Sequence, residues 1–337
     1  MSHLAKMGKS AIFTACLFLL FILLTEQAGA AQQTEIPEPM GWLTRNNWSG
    51  VEYLDYNHAF SYSDAEHEPY VSLSFVVPTI TQDKSSRCTT REETGFPLQS
   101  MSIWVGFDGD PAVGRGELPQ AGISAIYWCF PWDLVKAPEY YAWLEWFNGD
   151  PKQKETRLEV PVIPGHNMFI LVRLKSPYTA AAIFNDFTAG TQTSYQFGSP
   201  DAMPVIGLTA ECILERPRYY NQRTNQDFLS NLPHYGTLDA GCGGWTNGFY
   251  DVDGSGYLQY VPHGYTYLVP DTNSASGRWI GIDMREGRDI ISTATPIQDN
   301  WGWLTWQFHA RQFAPISSRA TPSGLVSPIP HGLSGAH

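Results

Sequence analysis

The stretch Tyr70-Val71-Ser72-Leu73-Ser74-Phe75-Val76-Val77-Pro78 decides the fold class of this 337-residue chain. Every second residue from Val71 to Val77 is apolar, and two of the three residues between them are serines. Because successive side chains of a strand point to opposite faces, this alternation predicts a strand with one buried face. The run from Leu158 to Val162 alternates in the same way, and the apolar run from Met168 to Leu174 is also a predicted strand.

Turn signals separate these runs, and no long stretch shows the 3.6-residue period of a helix. Asn148-Gly149-Asp150, Pro164-Gly165 and Asp253-Gly254 are examples, and the chain contains 30 Gly and 24 Pro. Many short strands joined by tight turns are typical of sandwiches and barrels, so the sequence predicts an all-β fold.

The composition excludes two classes of protein. Aromatic residues make up 14% of the chain and hydrophobic residues 43%, which is too many for a disordered chain. The formal net charge is −12 and the pI is about 5.1, so we expect neither nucleic acid nor an anionic membrane as a partner.

The N-terminus has the pattern of an export signal. Lys6 and Lys9 precede the apolar run Ala11–Leu24. Ala28 and Ala30 form an A-x-A pattern after it, so we expect cleavage after Ala30. An uncleaved anchor is the alternative, but the run is shorter than the roughly 20 residues of a spanning helix. We therefore expect the mature protein to be secreted or periplasmic, with no membrane association.

The remaining chain is expected to form one domain. We assign residues 1–30 to the signal peptide, 31–46 to a short lead-in and 47–314 to the folded domain. Residues 315–337 are rich in Ser, Pro, Gly and Ala without a period, which predicts a mobile tail.

Four cysteines remain after cleavage: Cys88, Cys129, Cys212 and Cys242. An even count in an oxidising compartment permits disulfides, although sequence alone does not give the pairing. Cys212 falls on a core-facing strand position, so we expect either a free buried thiol or a bond to Cys242. Cys88 and Cys129 are then expected to pair with each other.

The chain lacks several common catalytic and metal-binding motifs. It contains no HExxH, no GxSxG and no Asp-Thr-Gly or Asp-Ser-Gly, and its nine histidines show no metal-ligand spacing. Asp251–Leu258 resembles the start of a calcium loop, but position twelve would be Pro262, so a hairpin turn is favoured. We expect no metal and no cofactor.

Seven short motifs follow one another in a particular order. They are NWSG at 47–50, WVGFDGD at 104–110, LPQAG at 118–122, YAWLEWF at 141–147, NDFTAG at 185–190, AECILE at 210–215 and LPHYG at 232–236. The series resembles the glutamic peptidases, or eqolisins, which include the scytalidoglutamic and aspergilloglutamic peptidases. The resemblance spans residues 47 to about 306. Stretches 216–231 and 242–275 look like insertions, and Pro119 and Cys212 depart from the family pattern.

The resemblance implies an antiparallel β-sandwich of two large sheets with a substrate groove on its concave face. It implies an acid endopeptidase that acts on polypeptides, and we expect a monomer. The catalytic pair would be Glu211 and Gln120. Other residues would line the groove or support the pair: Trp48, Trp104, Asp108, Tyr141, Trp143, Glu145, Phe147 and Glu215.

The residues themselves support this assignment. Every second residue from Ala210 to Leu214 is apolar, which puts Glu211 and Glu215 on the opposite, non-core face of their strand. A glutamate of ordinary pKa can be ionised in mild acid and accept a proton from water. The amide of Gln120 is uncharged at any acidic pH and can donate a hydrogen bond to an oxyanion.

Two other functions stay open at this point. A β-sandwich glycoside hydrolase needs two carboxyls about 5–9.5 Å apart. Glu211 and Glu215 lie roughly 13 Å apart along one strand, which is too far, whereas Glu145 and Glu211 could meet across strands. The third reading is a non-catalytic module that binds carbohydrate or peptide, and the presence of both Glu211 and Gln120 argues against it.

The export signal gives a first testable prediction. Edman sequencing or mass spectrometry of the mature protein should find an N-terminus near Ala31, because cleavage follows the A-x-A pattern. Retention of residues 1–30 would contradict it.

Overall fold

The computed structural model of the chain describes residues 42–55, 60–62, 68–83, 97–110, 117–128, 137–150, 153, 155–221, 226–245, 251–252, 258–259, 266–267, 277–296 and 303–309. All of the regular elements in this part of the chain are strands, numbered here in chain order. They are β1 (Trp42–Arg45), β2 (Trp48–Asp55), β3 (Tyr70–Val76), β4 (Pro97–Phe107), β5 (Leu118–Trp128), β6 (Glu139–Phe147), β7 (Thr156–Leu158), β8 (Asn167–Ser176), β9 (Thr179–Asp186), β10 (Thr191–Gly198), β11 (Thr209–Glu215), β12 (Arg218–Asn221), β13 (Gln226–Leu229), β14 (Thr237–Trp245), β15 (Asp251–Val252), β16 (Leu258–Gln259), β17 (Thr266–Tyr267), β18 (Gly277–Glu286), β19 (Asp289–Pro296) and β20 (Trp303–Phe308).

The strands form two layers that pack face to face. The front layer has the order β18-β2-β11-β4-β5-β6-β7, with β1 added in parallel beside β18. The back layer has the order β10-β9-β8-β3-β14-β20-β19, with β17 beside β14. β18 and β19 pair with each other, so the two layers are one continuous hydrogen-bonded sheet folded over on itself. The predicted all-β sandwich is confirmed, and this shared hairpin is the feature that the sequence did not predict.

Alternating apolar side chains from both layers fill the space between them. Phe107 of β4 in the front layer packs in one cluster with Phe75 of β3, Phe184 of β9 and Trp306 of β20 in the back layer. All four side chains are buried. Burial of each phenylalanine contributes roughly 1.5–3 kcal/mol, which makes this interface the main source of stability.

A disulfide crosses the core between Cys212 of β11 and Cys242 of β14. It therefore ties the middle of the front layer to the middle of the back layer. One of the two alternatives predicted for Cys212 is confirmed. The predicted pairing of Cys88 with Cys129 lies outside the described residues.

One predicted strand is wrong over most of its length. The alternating run from Leu158 to Val162 forms a strand only as far as Leu158, where β7 ends. Pro161 has no N–H to donate to a ladder, and the turn at Pro164-Gly165 follows directly, so pairing cannot continue. The predicted strands at Tyr70 and Met168 are confirmed as β3 and β8.

The two predicted insertions contain small β-hairpins. β12 pairs with β13 inside 216–231, and β15 pairs with β16 inside 242–275. The hairpin turn predicted after Asp251 falls on residues 253–257, which lie outside the described residues. Within the predicted lead-in, Trp42–Arg45 forms β1. The signal peptide and the tail lie outside the described residues, among which there is no helix long and apolar enough to cross a membrane.

The disulfide gives a prediction for stability. Cys242→Ala should lower the free energy of unfolding by about 2–4 kcal/mol, because the bond closes a loop of 30 residues in the unfolded chain. Urea denaturation of the variant and of wild type measures this. In a Cys88→Ala/Cys129→Ala background, where reductant can break only the Cys212–Cys242 bond, the reduced parent protein should match the variant. A peptide map under non-reducing conditions that links Cys212 to Cys88 would contradict the assignment.

Candidate active site

Five positions form one row across the outer face of the front layer, the face turned away from the core. Glu211 of β11 lies directly opposite Glu52 of β2 on one side and Gly106 of β4 on the other. Gly106 lies opposite Gln120 of β5, which in turn lies opposite Glu145 of β6. Directly opposed residues of an antiparallel ladder point to the same face. The structure therefore brings together both members of the predicted pair and one predicted supporting acid.

Gly106 lies between Glu211 and Gln120 at a position that has no room for a side chain. A Cβ at Gly106 would lie 3.1 Å from the Cβ of Gln120 and 2.7 Å from Cδ1 of Leu118. The strands of Glu211 and Gln120 flank this glycine, so their backbones are two strand spacings, or about 10 Å, apart. The side chain of Leu118 therefore occupies part of the space above Gly106.

Glu211 is held by two donors on one side of its carboxyl. Its Oε1 accepts a hydrogen bond from the backbone N–H of Gly109 at 2.9 Å and another from the hydroxyl of Thr209. No described residue donates to Oε2, and the side chain is fully buried. Burial raises the pKa of Glu211 well above its usual value, and a charge on Glu52 adds to this effect, while the two donors oppose it. The ordinary pKa expected from the sequence is therefore wrong, and a smaller fraction of Glu211 is ionised in mild acid than that expectation implies.

Asp108 supports Glu211 through the backbone. Its carboxylate accepts N–H bonds of 2.6–3.2 Å from the four residues 206–209, which lead into β11. Asp108 itself has a φ of 59°, in the left-handed region, which turns the chain sharply at the end of β4. Its predicted supporting role therefore takes the form of a clamp on the start of the Glu211 strand. Burial raises the pKa of Asp108, and the four N–H bonds oppose the increase.

Gln120 and Glu145 are hydrogen-bonded to each other. Nε2 of Gln120 donates to Oε2 of Glu145 at 2.8 Å, and no described residue donates to Oε1 of Gln120. Burial, together with the charges of Glu155 and Glu215, raises the pKa of Glu145 to about 8, and the hydrogen bond from Gln120 opposes the increase. Glu145 is thus neutral at acidic pH, and in this form its O–H can donate a hydrogen bond to Gln120.

Glu215 contacts an aromatic ring rather than the predicted catalytic pair. It accepts a hydrogen bond of 2.7 Å from the indole N–H of Trp104 and one of 3.3 Å from Asn47. Burial raises the pKa of Glu215 to about 7, against the effect of these donors. Glu215 lies four residues beyond Glu211 on the same face of β11.

The predicted groove aromatics divide into two groups. Trp104, Tyr141 and Trp143 are buried in a second apolar cluster on the outer face, whereas Trp48 and Phe147 are only partly buried against it. In this arrangement a bound molecule can reach Trp48 and Phe147. The buried three lie beside the row of polar residues on the same face, with Trp104 and Trp143 on either side of Gly122.

Several charged residues near the site were not predicted from the sequence. Arg45 forms an ion pair of 2.9 Å with Asp110, which lies beside Glu52. At the opposite side, Glu155 accepts a hydrogen bond from Tyr141, and Arg157 lies 3.7 Å above the Tyr141 ring. Glu52 could have been found from the alternation along β2, because it shares a face with Trp48.

The geometry weakens the glycosidase reading. Glu145 and Glu211 lie three strand spacings apart, about 14 Å between backbones, with Gln120 and Gly106 between them.

Among the described residues, no group of three or more His, Cys, Asp or Glu could hold a metal ion.

Comparison with known proteins bears on the class. The model of the peptidase A4 family matches residues 46–242. The chain is similar to the structure of SCP-B, a member of the eqolisin family of peptidases, in complex with the tripeptide Ala-Ile-His, with 13% identity and a TM-score of 0.50. It is also similar to scytalido-glutamic peptidase with a transition state analog inhibitor, with 13% identity and a TM-score of 0.52. Both alignments cover 79% of this chain and 99% of the other. No curated protein sequence matched.

The shared sandwich fold and the family match define the protein as a glutamic endopeptidase. The chain belongs to the peptidase A4 family, whose model matches more than half of its length. The predicted resemblance to the eqolisins is confirmed.

The buried carboxyls predict an unusual dependence of stability on pH. Glu52, Glu145 and Glu215 have pKa values of about 8, 8 and 7 in the folded chain, against 4.5 for an ordinary glutamate. Between pH 4.5 and 8 the folded state therefore binds more protons than the unfolded state. The free energy of unfolding must fall as pH rises, by up to about 1.4 kcal/mol per pH unit for each group.

Calorimetry from pH 4.5 to 8 should thus show Tm falling steadily. Glu145→Gln, which removes one of these carboxyls, should lose less stability across the same window. A Tm that stays constant or rises between pH 5 and 8 would contradict the raised pKa values.

Proposed function

We propose that this glutamic endopeptidase cleaves polypeptides in acid by means of Glu211 and Gln120. The observation that carries the proposal is their position in one row of one face, on either side of Gly106. A scissile carbonyl group and the attacking water would bind above the glycine, where the Leu118 side chain would have to move aside. General base and oxyanion donor would then approach the same carbonyl from two sides.

The proposed reaction has two proton transfers. Glu211 in its ionised form accepts a proton from water as the water oxygen attacks the carbonyl carbon. The amide N–H of Gln120 donates to the oxyanion of the resulting tetrahedral intermediate. Glu211 then returns the proton to the leaving amine as the C–N bond breaks. The amide of Gln120 does not titrate in acid, so this donor works at any acidic pH.

Glu145 makes the amide available at acidic pH. In the structure Nε2 of Gln120 points to Glu145, which is the correct partner for an ionised carboxylate. Below pH 8 Glu145 takes up a proton, and its O–H can donate to Oε1 of Gln120 once the amide turns by half a rotation. Nε2 is then free to face the substrate. Glu145 is thus a positioning residue whose protonation favours activity in acid.

We further propose that the protein works outside the cytoplasm as a monomer. The Cys212–Cys242 disulfide supports the location outside the cytoplasm, because such bonds persist in oxidising compartments. The substrate class is polypeptide, in line with the tripeptide held in the SCP-B complex. Side chains of the substrate would contact the partly exposed rings of Trp48 and Phe147.

Substitution of the pair tests the mechanism. Glu211→Gln should reduce peptidase activity to background, because no other group is proposed to take the proton from water. Gln120→Ala should lower kcat by about 10²–10³, the usual effect of losing one oxyanion donor. Glu215→Gln should cost less, because Glu215 holds Trp104.

A matched control is Gln99→Ala. Gln99 is also a buried glutamine of the front layer, but its side chain bonds the backbone of Asp83, away from the row. Its kcat should stay close to wild type once circular dichroism confirms folding. Cleavage of a denatured protein and of polysaccharides is assayed in parallel at acidic pH, with chelator and with pepstatin, neither of which should inhibit. Strong peptidase activity in folded Glu211→Gln, or polysaccharide cleavage alone, would contradict the proposal.

A further inference from the structure

The proposed mechanism needs a negative charge on Glu211, yet Glu211 lies beside a second buried carboxyl. Glu52 is its direct partner in the β2–β11 ladder and is only 1% exposed. None of the described residues donates a hydrogen bond to either oxygen of Glu52 or to Oε2 of Glu211. Because two neighbouring buried carboxyls do not readily ionise together, the first proton that this pair loses leaves a single negative charge for the two of them. The position of that charge decides whether Glu211 can act as a base.

The surrounding groups bias the charge toward Glu211. On the Glu211 side, Thr209 and the N–H of Gly109 donate to the carboxyl and stabilise its ionised form. On the Glu52 side, the neighbouring carboxyl of Asp110 repels a negative charge on Glu52. The same carboxyl can accept a hydrogen bond from the protonated form of Glu52. Arg45 forms an ion pair of 2.9 Å with Asp110.

The remaining neighbours do not reverse this bias. Ile280 of β18, on the far side of Glu52 in the row, is uncharged. Asp108 lies on the Glu211 side, where it disfavours a charge on Glu211, but four backbone N–H groups compensate its own carboxylate. Arg45 favours a negative charge on Glu52, and the carboxyl of Asp110 opposes this effect.

We propose that Glu52 is a positioning residue that carries the proton of the buried pair, donates it to Asp110 and so leaves the negative charge on Glu211. In this arrangement Arg45 pairs with Asp110, Asp110 accepts the proton of Glu52, and Glu52 lies beside Glu211. This inference rests on the proposed role of Glu211 and extends it to a residue outside the seven sequence motifs.

The proposal predicts that two substitutions differ in their effect on the acid limb of kcat/KM. Asp110→Asn removes the repulsion and frees Arg45 to attract a charge on Glu52, so the pair places its proton on Glu211. The acid limb of kcat/KM should then move to higher pH by about one unit or more, because Glu211 ionises only when the pair loses its second proton. Glu52→Gln leaves an uncharged side chain beside Glu211, so its acid limb should stay within about half a unit of wild type.

The double variant Asp110→Asn/Glu52→Gln separates this role from a structural one. The amide that replaces the Glu52 carboxyl cannot take the charge, so the acid limb should return to within about half a unit of wild type. The limb is measured with a quenched fluorescent peptide from pH 2 to 7 on all four proteins. An unshifted limb in Asp110→Asn, or a double variant that keeps the shift, would overturn the proposal.

Stability provides an arm that needs no activity. Because Glu52 holds its proton in the folded state, urea denaturation should show Glu52→Gln gaining stability over wild type as pH rises from 4.5 to 8. A difference that does not grow with pH would overturn the proposal, also where Asp110→Asn fails to fold. If no protein in the series cleaves peptides, the proposed function is wrong, and this arm still decides whether Glu52 carries a proton beside Glu211.

Discussion

The hydrogen-bond register of β11 between β2 and β4 is the constraint on which the site depends. Because side chains alternate along a strand, a slip by one residue would turn Glu211 into the core and bring Cys212 to the outer face. The disulfide makes such a slip costly, since Cys212 must face the back layer to reach Cys242. The covalent bond on one face of β11 thus fixes the position of the carboxyl on the other.

The same register concentrates buried carboxyls in one row, and this has a physical consequence. A buried charge is expensive, whereas a neutral carboxyl that is hydrogen-bonded costs much less. Glu52 and Glu145 are neutral in acid, and their ionisation toward neutral pH destabilises the folded state. Stability and proposed catalysis therefore favour the same acidic range, and one set of side chains is responsible for both.

Alternation along Thr209–Glu215 was enough to predict which face carries Glu211, because period two is a local property of the chain. Glu52 could not be assigned a role in this way, since its partner in the ladder lies far away in sequence. The clamp of Asp108 on residues 206–209 was also beyond prediction, because it depends on a turn of positive φ and on contacts about a hundred residues away. Trp104 and Trp143 were placed on the correct face, but their burial depends on packing against Leu118 and Ile213 from other strands.

A crystal structure with a peptide-based transition-state analogue, grown at acidic pH, tests the central claim most directly. The account predicts that Nε2 of Gln120 leaves Glu145 and lies about 3 Å from one oxygen of the tetrahedral centre, with Glu211 at the other oxygen. An analogue whose tetrahedral oxygens are bound by other groups, while Gln120 still donates to Glu145, would contradict it.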